Sequence, residues 1–67
     1  MRVHSTITDR FYIAEEMAYI TNPTQIAKYI DAGAVLFDLI PHGDKLVGVF
    51  SKKESAVLYV KWQKREI

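Results

Sequence analysis

Apolar and polar positions change their period several times along this chain, and each change marks an element. Residues 3–8, Val-His-Ser-Thr-Ile-Thr, alternate and are rich in β-branched types, so 1–8 reads as an arm or short strand. Phe11, Ala14, Met17 and Ala18 then recur at helical spacing, with Glu15 and Glu16 towards the outside. That pattern predicts a helix over 9–18, although Met17 to Thr21 is equally able to be extended. Asn22-Pro23-Thr24-Gln25 is sharper: an N-cap, a proline at the first helical position, and a glutamine placed to reach back to the cap. The helix it opens carries Ile26, Ala27 and Ile30 as an apolar stripe and ends at Asp31-Ala32-Gly33, with Gly33 suited to a left-handed cap. A helix this short does not hold alone in water, so the stripe must pack on a partner element.

Ala34–Ile40 and Lys45–Phe50 supply one. Both are β-rich runs, and Pro41-His42-Gly43-Asp44 separates them as a hairpin loop. With Ile40 facing Lys45, the pairs are Leu39 with Leu46, Phe37 with Gly48 and Val35 with Phe50, a wholly apolar face predicted as core. The other face carries Asp38 and Lys45 near the turn, and Leu36, Val47 and Val49 beyond them. It is too apolar for water. Either the N-terminal segment or a second subunit is expected to cover it.

Ser51-Lys52-Lys53-Glu54 reads as a second capping box, opening a helix to about Arg65. Leu58, Tyr59 and Trp62 then share a face, with Ser55 one turn earlier. Val57, Leu58, Tyr59, Val60 and Trp62 are also good strand residues, so 55–63 stays open between helix and strand. The fold class is α+β, with short helices packed on an antiparallel β-hairpin; the alternative is a three-stranded meander with N-terminal helices.

Size sharpens this reading. Sixty-seven residues make one small domain, which buries only about 60% of its unfolded surface. Such domains usually need a staple, yet there is no cysteine, and His4 and His42 have no zinc-ligand spacing. No metal and no cofactor is expected, and support falls to a partner, most simply in a homodimer. The apolar fraction of 49% fits a globular chain. No apolar run approaches the roughly 18 residues that span a bilayer, and the first residues are too polar for a signal-peptide core. No membrane association is expected, and the cytoplasm of a host cell is the expected location.

From Tyr19 to Trp62 the order of elements resembles a family of small uncharacterised proteins of phages and bacterial mobile elements. The matching residues are Thr21, Ile26-Ala27-Lys28-Tyr29-Ile30, Gly33, Leu39, Val47-Gly48-Val49-Phe50 and Trp62. The first eighteen residues have no counterpart in it. The resemblance implies an ααβ-type arrangement and a mobile-element origin, and supplies no catalytic residues.

The chain's chemistry points away from catalysis. His42, flanked by Asp38 and Asp44, sits in a turn and lacks the nucleophile and orienting group that an activated base serves; the same three residues at a hairpin tip are a poor cation cage. Glu15 and Glu16 are adjacent and diverge on a helix. There is no phosphate-binding glycine loop and no HExxH. No catalytic residue and no small-molecule substrate is assigned. Two binding readings follow. The first is a non-enzymatic module, a phage or mobile-element accessory protein touching a host or phage protein through Leu36, Val47, Val49, Tyr29, Tyr59 and Trp62, since interfaces favour Tyr and Trp. The second is a nucleic-acid binder. Residues 1–50 hold four basic and six acidic side chains, whereas 51–67 hold five basic and two acidic ones. Lys52, Lys53, Lys61, Lys64 and Arg65 would touch phosphates, with Tyr59 or Trp62 stacking on bases. A net charge of +1 is low for such a domain.

Overall fold

Asn22 does what its position promises. In the computed structural model, which describes residues 1–67, its Oδ1 accepts the N–H groups of Thr24 (3.0 Å) and Gln25 (3.3 Å), and helix α1 runs Pro23–Asp31. Gly33 closes the helix at φ +97°: its N–H reaches the Ile30 carbonyl while the Ala34 N–H reaches that of Tyr29. This pair of bonds is a Schellman cap, and it needs a left-handed residue at that point. The buried side of α1 is Gln25, Ile26 and Tyr29, not the expected Ile26, Ala27 and Ile30; Ala27 is exposed and Ile30 is 46% exposed. Gln25 turns inward rather than back to its cap, donating to the Tyr29 hydroxyl at 2.9 Å.

Three strands form the sheet: β3 (Met17–Ile20), β4 (Asp38–His42) and β5 (Lys45–Ser51), in the order β3-β5-β4 and all antiparallel. The expected hairpin exists, but its loop is Gly43-Asp44 alone, because His42 pairs with Lys45 and Ile40 with Val47. Gly43 takes φ +65°, as a two-residue hairpin loop requires, and Pro41 is tolerated because β4 is an edge strand. The register differs from the expected one by two residues, so residues 38–50 keep their faces. Before Asp38 the alternation breaks. Phe37 donates its N–H to the Val49 carbonyl at 2.8 Å although Asp38 is the ladder partner of Val49, so two residues address one. Phe37 consequently packs opposite to Phe50, and Leu36 joins the helix side. Val35 and Leu46, expected in the core, are 37% and 49% exposed.

The predicted helix over 9–18 does not form. Its residues make strand β2 (Phe11–Ile13), a 3-10 turn at Ala14–Glu16, and β3. The central strand β5 needs a second ladder partner, and pairing with Met17–Ile20 overrides a weak helical spacing. The arm becomes strand β1 (Arg2–His4), paired with β2 in an antiparallel hairpin. Helix α2 spans Lys52–Gln63, which removes the alternative of a strand there. Ser51 caps it, accepting the Glu54 N–H at 3.1 Å; the Glu54 carboxylate accepts from Val35 N–H instead of closing the box.

The sheet therefore has a helix side and a hairpin side, each with its own apolar cluster. On the helix side Phe50 meets Tyr29 edge-on at 5.3 Å, with Ile26, Ala34 and Leu58 around them. On the hairpin side Val49 packs with Tyr12 and Met17. Phe50 and Val49 are neighbours in β5 and point to opposite faces, and both are fully buried. No helix is long and apolar enough to cross a membrane.

Candidate functional site

The most concentrated polar chemistry lies under the N-terminal hairpin. Asp38 accepts from Ser5 Oγ (2.6 Å), Tyr12 Oη (2.8 Å) and the Leu39 N–H (2.8 Å). Burial pushes the Asp38 carboxyl up. The hydrogen bonds from Ser5, Tyr12 and Leu39 together outweigh burial and hold it below the usual carboxylate range. Burial, then the bond to Asp38, pushes Tyr12 up to about 12. Ser5 Oγ also accepts the N–H groups of Ile7 and Thr8, which shapes the loop between β1 and β2. Its side chain is fully buried, so no substrate reaches it in this arrangement. What this cluster does is attach the hairpin, helped by Thr8 Oγ1 donating to the Phe37 carbonyl at 2.6 Å. Asp38, expected near Lys45 on the sheet face to be covered by the N-terminal segment or a second subunit, is the anchor of the N-terminal segment.

That attachment settles what covers the second sheet face. Val49, expected at an interface, has no exposed surface and sits under Tyr12 and Met17. Leu36 is half-buried against the helix-side cluster, and Val47 is half-buried opposite Ile40. Tyr29, expected at an interface, is fully buried because it lies on the buried side of α1. Of the expected interface aromatics, Trp62 is half-buried against the helix-side cluster. Tyr59 does not share the inward face with Leu58; it is 48% exposed, with its hydroxyl accepting from Gln63.

The outer face of α2 is where exposed chemistry gathers. Ser55, Leu58 and Trp62 point inward, so Lys53, Val57, Val60 and Lys64, at steps of four, three and four, lie on the opposite side. Val57 is 59% and Val60 50% exposed. Lys61, one turn beyond Val57, and Arg65, just past the helix, are exposed as well. The only acidic residue of α2 is Glu54, and it is occupied by Val35 N–H. The chain's ion pairs join the Met1 amino group to Glu15 and His4 to Asp9, so Lys53, Lys61, Lys64 and Arg65 have no intramolecular counter-ion. Lys52 is set apart from this group: its Nζ donates to the Glu15 carbonyl at 2.8 Å. Helical spacing in the sequence contained this stripe, but the inward turn of Trp62 was needed to show which side it faces.

Two concave surfaces adjoin the helices. A depression of about 340 Å³ lies between the turn that ends α1 and the first half of α2, lined by Ala32, Gly33 and Ala34 on one side and by Lys53, Glu54, Val57 and Leu58 on the other. A groove of about 810 Å³ runs between α1 and the β4–β5 hairpin, past Ile26, Ile30 and Leu46, with Asp44 and Lys45 giving it both signs of charge. No group of three or more His, Cys, Asp or Glu side chains is placed to hold a metal ion.

Comparison with family models, curated proteins and solved structures finds no match to this chain.

Proposed function

We propose that this chain is a non-enzymatic binding module that works through protein–protein contacts, with the outer face of α2 as its docking surface. One observation carries the reading: Val57 and Val60 lie exposed on a helix face that contributes nothing to the core and is flanked by cations without counter-ions. Burying the exposed half of each valine against a partner contributes about 1 kcal/mol apiece. In the phage or mobile-element setting that the sequence resemblance suggests, the partner is a host or phage protein.

The self-association expected at Leu36, Val47 and Val49 loses its basis, since the chain's own N-terminal hairpin covers Val49. The α2 face does not replace it. Two copies brought together there would set Lys53, Lys61 and Lys64 against the same cations. A nucleic-acid partner is the second reading, favoured by those free cations alone. Phosphate binding makes no use of the valines; of the two aromatics expected to stack on bases, Trp62 is turned inward and Tyr59 is exposed.

The test is quantitative cross-linking of the wild-type chain and a Val57→Asp/Val60→Asp variant in cells that express it. Adducts formed by the wild type and lost in a variant of unchanged circular dichroism and melting temperature support the reading. Equal adduct patterns for both chains reject it.

A further inference from the structure

Resting on that reading, we infer that the α2 face is built for an acidic amphipathic segment, one that inserts a bulky apolar side chain beside Ala32 and lays carboxylates on Lys53, Lys61 and Lys64. The chemistry of the two neighbouring surfaces selects this occupant. The depression at the end of α1 has a floor of small and apolar groups: Ala32, Gly33 and Ala34 from one side, Val57 and Leu58 from the other. A methyl group built on Gly33 would meet no atom within 4 Å, so this side of the depression is open to solvent. Lys53 and Glu54 complete its lining, and one Glu54 carboxylate oxygen accepts from Val35 N–H at 3.2 Å. Lys53 belongs to both surfaces, at the rim of the depression and at the head of the stripe.

Charge then decides the partner's sign. The stripe's lysines enter no ion pair, and residues 51–67 hold five basic side chains against Glu54 and Glu66, so complementarity asks for carboxylates spaced to meet Lys53, Lys61 and Lys64. A second copy brings cations and is repelled. A purely polyanionic ligand satisfies the lysines and leaves Val57, Val60 and the depression wet. A segment with apolar residues on one side and Glu or Asp alongside satisfies both, and a helix delivers that pattern through anchors at i, i+3 or i+4, and i+7. The groove between α1 and the hairpin has no comparable row of cations, since Lys45 is its one basic residue and Asp44 lies beside it.

The experiment is fluorescence anisotropy with the full chain and four probes. These are a labelled Glu/Leu peptide of helical amphipathic pattern, the same composition scrambled, an all-Glu peptide of equal charge, and a 20-base-pair DNA duplex. The expected result is saturable binding of the amphipathic probe, at least about tenfold tighter than the scrambled or all-Glu peptides, and weakening as salt rises. Ala32→Phe fills the depression from an exposed position and is expected to weaken this binding about tenfold; Lys53→Glu/Lys61→Glu is expected to abolish it. Equal binding of the all-Glu and amphipathic peptides overturns the inference, as does tighter binding of the duplex that Val57→Asp leaves unchanged. The two levels separate cleanly. If Val57→Asp abolishes binding while Ala32→Phe does nothing, the α2 face stands as the docking surface and the side-chain socket is refuted. If no peptide probe binds, the acidic-segment inference falls, whatever the cross-linking experiment returns for the face itself.

Discussion

Replacing Asp38 by Ala tests whether the N-terminal hairpin is held by chemistry or merely rests on the sheet. The substitution removes the acceptor of two buried hydroxyls, Ser5 Oγ at 2.6 Å and Tyr12 Oη at 2.8 Å, and of the Leu39 N–H. A buried donor left without a partner costs about 1–3 kcal/mol. With two hydroxyls stranded and some relief from rotation of the O–H groups, the expected loss is about 3 kcal/mol. A domain of this length has a total stability of about 3–10 kcal/mol, so the variant should be close to the edge of folding. The corresponding fall in melting temperature is about 12–24 °C. Asp38→Asn should be milder, about 1 kcal/mol, because the amide keeps one acceptor and can donate to a hydroxyl that turns round. Urea titration followed by far-ultraviolet circular dichroism measures both. The pH dependence adds a sign. The Asp38 carboxyl is held low in the folded state, so folding stability from it is fully present above the unfolded Asp range and is lost as pH falls through the lower folded value. The gap between wild type and Asp38→Asn should therefore narrow on the acid side of that range. An Asp38→Ala variant within about 0.5 kcal/mol of wild type, inside the spread of ordinary surface substitutions, would refute the anchoring role.

Further outcomes are expected elsewhere. Tyr12, pushed up to about 12 by burial and by Asp38, favours the folded state fully below the unfolded value near 10; its contribution is lost as pH rises through 12, and spectrophotometric titration should lose a late-ionising tyrosine in Tyr12→Phe. Gly48→Ala puts a methyl group 3.0 Å from Ile26 Cγ1 and 3.1 Å from Phe50 Cε2, so despite a gain in strand propensity it should lower the urea midpoint by about 1 kcal/mol. Arg65 closes α2 at φ +59°, the same Schellman geometry that Gly33 serves in α1; Arg65→Gly should raise stability by about 0.5 kcal/mol, measured by thermal melting.

Local signals were legible in the sequence wherever one residue does one job. Asn22, Pro23 and Gly33 bound α1, and Ser51 opens α2, because caps are decided within a single turn of chain. The inward turn of Phe50 in β5 was legible too, although Leu46, on the same side, is exposed and the residue packed on Gly48 is Ile26 rather than Phe37. What failed depended on partners distant in sequence. Residues 9–18 spell a weak helix, and only the ladder from Met17–Ile20 to Ser51–Gly48 makes them strands. Asp38 was legible as part of a face needing cover; that Ser5 and Tyr12 bond to it depends on an N-terminal hairpin that local pattern did not reveal. The basic residues of the C-terminal segment were legible as a group. Their separation into Lys52, tied to Glu15, and the unpaired Lys53, Lys61, Lys64 and Arg65 came only with the packing of α2.

The most direct measurement of the binding face is a ¹⁵N–¹H chemical-shift titration of the full chain with the Glu/Leu amphipathic peptide. Perturbations are expected at the amides of Lys53, Val57, Val60, Lys61 and Lys64, together with Ala32–Ala34 across the depression. Shifts confined to the β1–β2 hairpin, or to Ile30 and Leu46 in the groove beside α1, would contradict the assignment of α2 as the docking surface.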